Sequence, residues 1–196
     1  MIYKKNKLTI DRLNIESIAK KYKTPIYCYS LKKIKENIQN FKNHFKKFNP
    51  LICYAVKANS NLGILREIKK NNFGADVVSG GELMKALKAG INPKKIVFSG
   101  VGKTSEEIEY AINKNILLIN TESKSEILEI EKIAKKKKKN LNVGIRLNPN
   151  TDAKTLSQIS TGKKENKFGV SQKTFLQLVN MLKKSKNLNL KCLSVH

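Results

Sequence analysis

Lys57 stands at the downstream end of an apolar, β-rich run, Leu51-Ile-Cys-Tyr-Ala-Val-Lys-Ala-Asn-Ser-Asn61, just ahead of a helical pattern that starts near Leu62. Read as a strand over 51–59, the run puts Cys53, Ala55, Lys57 and Asn59 on one face and Ile52, Tyr54 and Val56 on the other. The small, polar face suits a crowded barrel interior, and the bulky apolar face suits a layer of helices. A lysine delivered there is expected to be partly desolvated, which disfavours its ammonium form and frees the amine to attack an aldehyde. Two further residues share the placement. Arg146 lies on the side of Asn142, Gly144 and Asn148, and His196 on the side of Cys192 and Ser194, each near the C-terminal end of a strand-like run. One lysine carries little weight in a chain with 40 Lys+Arg, but an amine, a guanidinium and an imidazole at three strand ends carry more.

The elements that must hold these residues alternate. Apolar periodicity predicts helices over 62–71, 82–89, 105–114, 124–137 and 172–184, each followed by a strand, over 75–79, 96–99, 116–120, 142–148 and 190–196. Such a run of βα units implies an α/β fold with parallel strands, whose C-terminal ends are where ligands bind. Ser79-Gly-Gly-Glu82, Thr104-Ser-Glu-Glu107 and Ser123-Lys-Ser-Glu126 each fit a capping box at a predicted helix start. Upstream, the pattern predicts a helix over 9–23 stopped by Thr24-Pro25, a strand over 25–30, and a helix over 31–47. That last helix carries Leu31, Ile34, Ile38, Phe41 and Phe45 along one stripe. The one long irregular stretch, 148–167, is of a length that compact domains use for functional or disordered loops.

Composition narrows the class. A hydrophobic fraction of 40% over 196 residues fits a soluble globular protein with a sizeable core. No apolar run approaches the roughly 20 residues of a membrane span. The opening residues lack the apolar core of a secretion signal, so a cytoplasmic location and no membrane partner are expected. Cys28, Cys53 and Cys192 lie far apart in apolar segments and read as buried, reduced thiols, with no metal site. The formal charge of +25 and pI near 10.0 raise nucleic-acid binding. The surplus is nearly all lysine and dispersed over helix surfaces, so no specific nucleic-acid partner is expected, only weak, salt-dependent association.

Several blocks support more than spacing can. Tyr54-Ala-Val-Lys-Ala-Asn59, Gly74-Ala-Asp-Val-Val-Ser-Gly-Gly-Glu-Leu83, Ile96-Val-Phe-Ser-Gly-Val-Gly-Lys103, Arg146-Leu-Asn-Pro149, Asp152-Ala-Lys-Thr155, Ile159-Ser-Thr-Gly162 and Glu165-Asn-Lys-Phe-Gly169 together resemble the diaminopimelate decarboxylase family. The first block alone points only to the wider group of pyridoxal-phosphate barrels; the last two narrow it. The resemblance implies an alanine-racemase-like (β/α)₈ TIM barrel beside a β-sandwich domain, working as a homodimer. It implies that Lys57 binds pyridoxal 5'-phosphate covalently, that His196 stacks on the cofactor ring, that Arg146 lies beneath it, and that Asp76 sits near the lysine linkage. The implied reaction converts meso-2,6-diaminopimelate to L-lysine and CO₂, the last step of lysine biosynthesis.

Departures from the family pattern are Ser194, where a second histidine is usual, and Lys154-Thr-Leu-Ser157, where Lys-Thr-His-Pro is common. The strands number about six of the eight that close a barrel. The expected organisation is therefore a segment over 1–30 leading from the sandwich domain and an incomplete cofactor-binding barrel over 31–196. The chain reads as an N-terminal fragment, inactive alone. Two other readings stay open: a decarboxylase of another basic amino acid or carboxylated polyamine, and a basic, non-enzymatic α/β protein that binds nucleic acid.

Overall fold

The computed structural model describes residues 2–4, 6–149 and 168–196. The segments 152–155, 154–157, 159–162 and 165–167 of the long loop lie outside the described residues. The chain divides into two units, Met1–Pro50 and Leu51–His196.

In the first unit, β1 (Ile2–Lys4), β2 (Lys7–Ile10) and β3 (Leu13–Asn14) form an antiparallel sheet in that order. They are followed by α1 (Ile15–Tyr22), α2 (Leu31–Phe45) and a 3₁₀ turn, Lys46–Phe48. The helix expected over 9–23 thus begins only at Ile15. Thr9 is held in the ladder by Ile2 on one side and Asn14 on the other. Asp11 and Arg12 take φ of 48° and 72°, the paired left-handed geometry of a tight hairpin turn. Asn14 then accepts the Glu16 N–H at 2.9 Å and starts the helix there. No strand forms over 25–30, and Cys28, expected buried, is exposed. The Ser30 hydroxyl oxygen accepts the Lys33 N–H at 2.9 Å and so caps α2. Asp11 in turn accepts the Ser30 hydroxyl at 2.6 Å and the Lys32 N–H at 3.1 Å, and these bonds hold its carboxyl below the ordinary range.

The second unit is a parallel sheet ordered β4 (Cys53–Ala55), β5 (Gly74–Val77), β6 (Ile96–Phe98), β7 (Leu118–Thr121), β8 (Leu141–Leu147) and β9 (Leu188–Val195). Between successive strands run α3 (Leu62–Lys70), α4 (Gly80–Lys88), α5 (Ser105–Asn113), α6 (Lys124–Lys136) and α7 (Gln172–Leu182). This is the six-stranded partial barrel that the alternation predicts. Ala75, Val77, Ile96, Phe98, Ile119, Val143 and Ile145 share one face of the sheet and are fully buried, as are Leu65, Leu83, Ile127 and Ile130 of the helices. The core is therefore the layer between sheet and helices. β4 and β9 are the two ends of the ladder, and Leu193 and Val195 of β9 are each 55% exposed.

The other face is built for close approach. At Gly74 a Cβ would lie 2.1 Å from the Lys95 carbonyl oxygen, so only glycine fits beside β6. In β9 the register with β8 shifts by one: Val143 faces Leu190, but Gly144 faces Cys192, which leaves Lys191 as a bulge. That extra residue lets Leu190 and Leu193 turn to the same side although they are three apart.

The three expected caps form, with a variation. Ser79, Thr104 and Ser123 each accept the N–H of the glutamate three residues on, at 3.2, 3.2 and 3.1 Å. Glu107 closes a full capping box on the Thr104 N–H at 3.0 Å. Glu82 and Glu126 reach one residue further back, to the N–H groups of Val78 and Glu122 at 2.9 and 2.8 Å. Glu107 also accepts the Gly80 N–H of the preceding helix at 2.6 Å. The N–H donors of Thr104 and Gly80 hold its carboxyl below its ordinary value of 4.5. A lowered carboxyl stabilises the fold above its unfolded value and stops doing so as pH falls through its folded value. We expect Glu107→Gln, whose amide offers one acceptor for two donors, to cost about 1 kcal/mol at pH 7. In urea unfolding, its deficit against wild type should shrink below about pH 4.

Candidate functional site at the strand ends

Lys57 is not on a strand. β4 stops at Ala55, and Val56–Ala58 form a 3₁₀ turn with Val56 fully buried as its anchor. The turn ends the strand alternation before Lys57, so the expected side-by-side placement with Cys53 and Ala55 does not extend to it. Its side chain is exposed rather than desolvated, and it makes no hydrogen bond or ion pair among the described residues. Lys57 lies two residues beyond the C-terminal end of β4, in the turn that follows the strand.

Asp76, one residue before the end of β5, faces the other way from the core. Its Oδ1 accepts the Ser99 hydroxyl at 2.6 Å, and the Ser99 oxygen accepts the Asn120 amide at 3.2 Å. The three lie at successive strand ends, β5 to β7, and line the inner wall. The Asn120 amide oxygen is buried without a partner among the described residues. It occupies the space where Gly144 lacks a side chain, since a Cβ there would lie 2.2 Å from it. Behind Asp76, Cys53 donates to the Lys95 carbonyl at 3.7 Å. Burial, reinforced by the Asp76 charge, pushes that thiol up to about 11, so it remains protonated at neutral pH.

Arg146 lies next to last in β8, and the sequence reading did not foresee its partner. Its Nη1 donates to Glu122 Oε1 at 3.1 Å, with the two side chains 13% and 4% exposed. The Phe168 ring covers the guanidinium carbon at 5.3 Å. Glu122 Oε2 accepts the Gly169 N–H at 3.0 Å. The register accounts for the pair: Thr121 pairs with Ile145, so the next residues along, Glu122 and Arg146, are lateral neighbours of opposite charge, and periodicity does not fix a register between strands. The side chain of Lys103 is completely buried and donates to the carbonyls of Gly100 and Asn120 at 2.5 and 2.8 Å and to Glu126 at 2.6 Å. Its ammonium protons are engaged, which sets it apart from Lys57. His196 follows the last residue of β9 and is exposed.

All four expected residues therefore come to the same edge of the parallel sheet. Lys57 and His196 are exposed; Asp76 and Arg146 are fixed by neighbours on the adjacent strands. The donor set suits an anionic, aldehyde-bearing aromatic cofactor. Lys57 offers an exposed amine, Asp76 a carboxylate oriented by a hydroxyl, Arg146 a stacked guanidinium, and Gly144 a wall without a side chain. No helix of the described residues is long and apolar enough to cross a membrane.

Comparison with known proteins agrees. Residues 31–196 match the family model described as pyridoxal-dependent decarboxylase, pyridoxal binding domain. A diaminopimelate decarboxylase of Helicobacter pylori strain J99 is 53% identical over 172 residues, which are 88% of this chain and 42% of that protein. The crystal structure of the H. pylori diaminopimelate decarboxylase complexed with L-lysine superposes with a TM-score of 0.90 at 50% identity, over 93% of this chain and 46% of that one. The diaminopimelate decarboxylase of M. jannaschi gives 0.91 at 37% identity, over 100% and 47%. The chain spans less than half the length of the relatives it matches. Its sequence and its partial barrel agree, and the chain belongs to the pyridoxal-dependent decarboxylases through their pyridoxal binding domain.

Proposed function

We propose that this chain is the cofactor-binding part of a diaminopimelate decarboxylase, which removes CO₂ from meso-2,6-diaminopimelate and releases L-lysine. The observation that carries the reading is the exposed amine of Lys57 in a turn at the strand-end edge, within a chain 53% identical to such an enzyme. Pyridoxal phosphate, when bound, supplies an electron sink for the pair that CO₂ leaves behind. Lys57 is the residue that holds it covalently. Asp76 contributes negative charge beside that linkage, and the Ser99 hydroxyl keeps its carboxylate turned inward. Arg146 would offer the cofactor a planar donor set, and His196 would offer its ring a flat imidazole. We extend the reading, on the resemblance, to a cytoplasmic homodimer.

Two measurements test it. Borohydride reduction of the full-length protein with pyridoxal phosphate, followed by peptide mapping, should place the pyridoxyl label on Lys57, and Lys57→Ala should abolish labelling. Label at Lys103 or on scattered surface lysines would refute the assignment. Separately, CO₂ release by the full-length protein should favour meso-diaminopimelate over ornithine, arginine and lysine by at least about 10³-fold, as expected where a site's polar groups are left unpaired by the wrong substrate. Equal turnover of ornithine would shift the substrate to another basic amino acid.

A further inference from the structure

We propose that Glu122 is the positioning residue of the site, setting where Arg146 stands and how much free charge it brings. The proposal rests on the pyridoxal reading above. Glu122 is the first residue beyond β7, and its carboxylate is the point where two separate segments meet. One oxygen takes Arg146 of β8 at 3.1 Å, and the other takes the Gly169 N–H at 3.0 Å. Both partners are donors, so both positions require an acceptor. A glutamine, with one acceptor oxygen and one donor nitrogen, cannot serve both.

The segment that brings Gly169 in is built for this contact. Gly169 has φ +77°, and a Cβ there would lie 2.8 Å from the Arg146 carbonyl oxygen. Val170 completes the junction, donating its N–H to the Arg146 carbonyl at 2.8 Å and accepting the Asn148 N–H at 2.9 Å. Phe168 then lies over the guanidinium. Glu122 is itself held from behind, because its backbone N–H donates to Glu126, whose other oxygen takes the buried Lys103. The charges alternate in sum: two buried cations, Lys103 and Arg146, against two carboxylates, Glu126 and Glu122. Arg146 thus reaches the site with its charge balanced and its plane fixed, acting through directed N–H donors rather than as a free cation.

The test uses the full-length protein and pyridoxal phosphate as the probe. Glu122→Gln should speed amide exchange in the peptide containing Phe168, Gly169 and Val170, and weaken cofactor binding, read from the absorbance of the bound cofactor, about tenfold. If Glu122 acts through Arg146, the same change made on top of Arg146→Gln should alter cofactor Kd less than twofold. That double variant leaves no buried charge unpaired in the pair, so the comparison holds even where Glu122→Gln alone is unstable. Faster exchange with unchanged Kd in Glu122→Gln would overturn the proposal, leaving Glu122 as an anchor of the 168–170 segment only. A tenfold loss that persists without Arg146 would overturn it equally. Wild-type label outside Lys57 would instead overturn the pyridoxal reading beneath it.

Discussion

A parallel ladder is the constraint on which everything else here depends. Antiparallel strands send consecutive ends to opposite edges, whereas in β4 to β9 every strand finishes on the same edge. Residues more than a hundred positions apart in sequence, such as Lys57 and His196, are brought to one rim without any loop having to reach. The helices on the outer face make this possible, since each returns the chain to the starting edge and buries the apolar half of the strands. The inner half is then free to be small and polar, with Gly144, Ser99 and Asn120 in positions that a sandwich core would fill with aliphatic side chains.

Much of this was legible because it is local. Apolar periodicity located the five helices of the second unit and the strands that follow them to within a few residues. Hydroxyl and glutamate spacing located three helix starts, because a cap is a contact between residues three apart. What was not legible depended on partners. The helix over 9–23 lost its first residues to a hairpin because Thr9 and Ile10 found strands to pair with, and periodicity cannot see a ladder. Cys28 was read as buried from its apolar neighbours, but no strand forms there to bury it. The expected desolvation of Lys57 failed for a related reason, since the strand stops at Ala55, short of the expected 51–59, and its regular alternation ends two residues before Lys57.

The rim also shows how one residue type can do two jobs. Glu82, Glu107 and Glu126 occupy the same third position of their helices, yet each binds a different set of N–H groups. In Glu107 the set joins two helices, and in Glu126 it joins a helix to a buried lysine. A cap that begins as local chemistry thereby becomes tertiary structure, and stiffens the edge from which the site residues project. Glu122, outside any cap pattern, extends the same network into the site.

The bulge at Lys191 has a consequence for how this strand should be compared with others. On either side of it, odd and even positions exchange faces, so β9 contains two reading frames that meet at one residue. An alignment that carries β9 across a bulge-free strand without a one-residue offset would match every position on one side of Lys191 with a residue of the opposite face. Insertions and deletions here therefore come in two kinds: those of two residues, which preserve the facing of Cys192 and Ser194, and those of one, which turn the rim inside out.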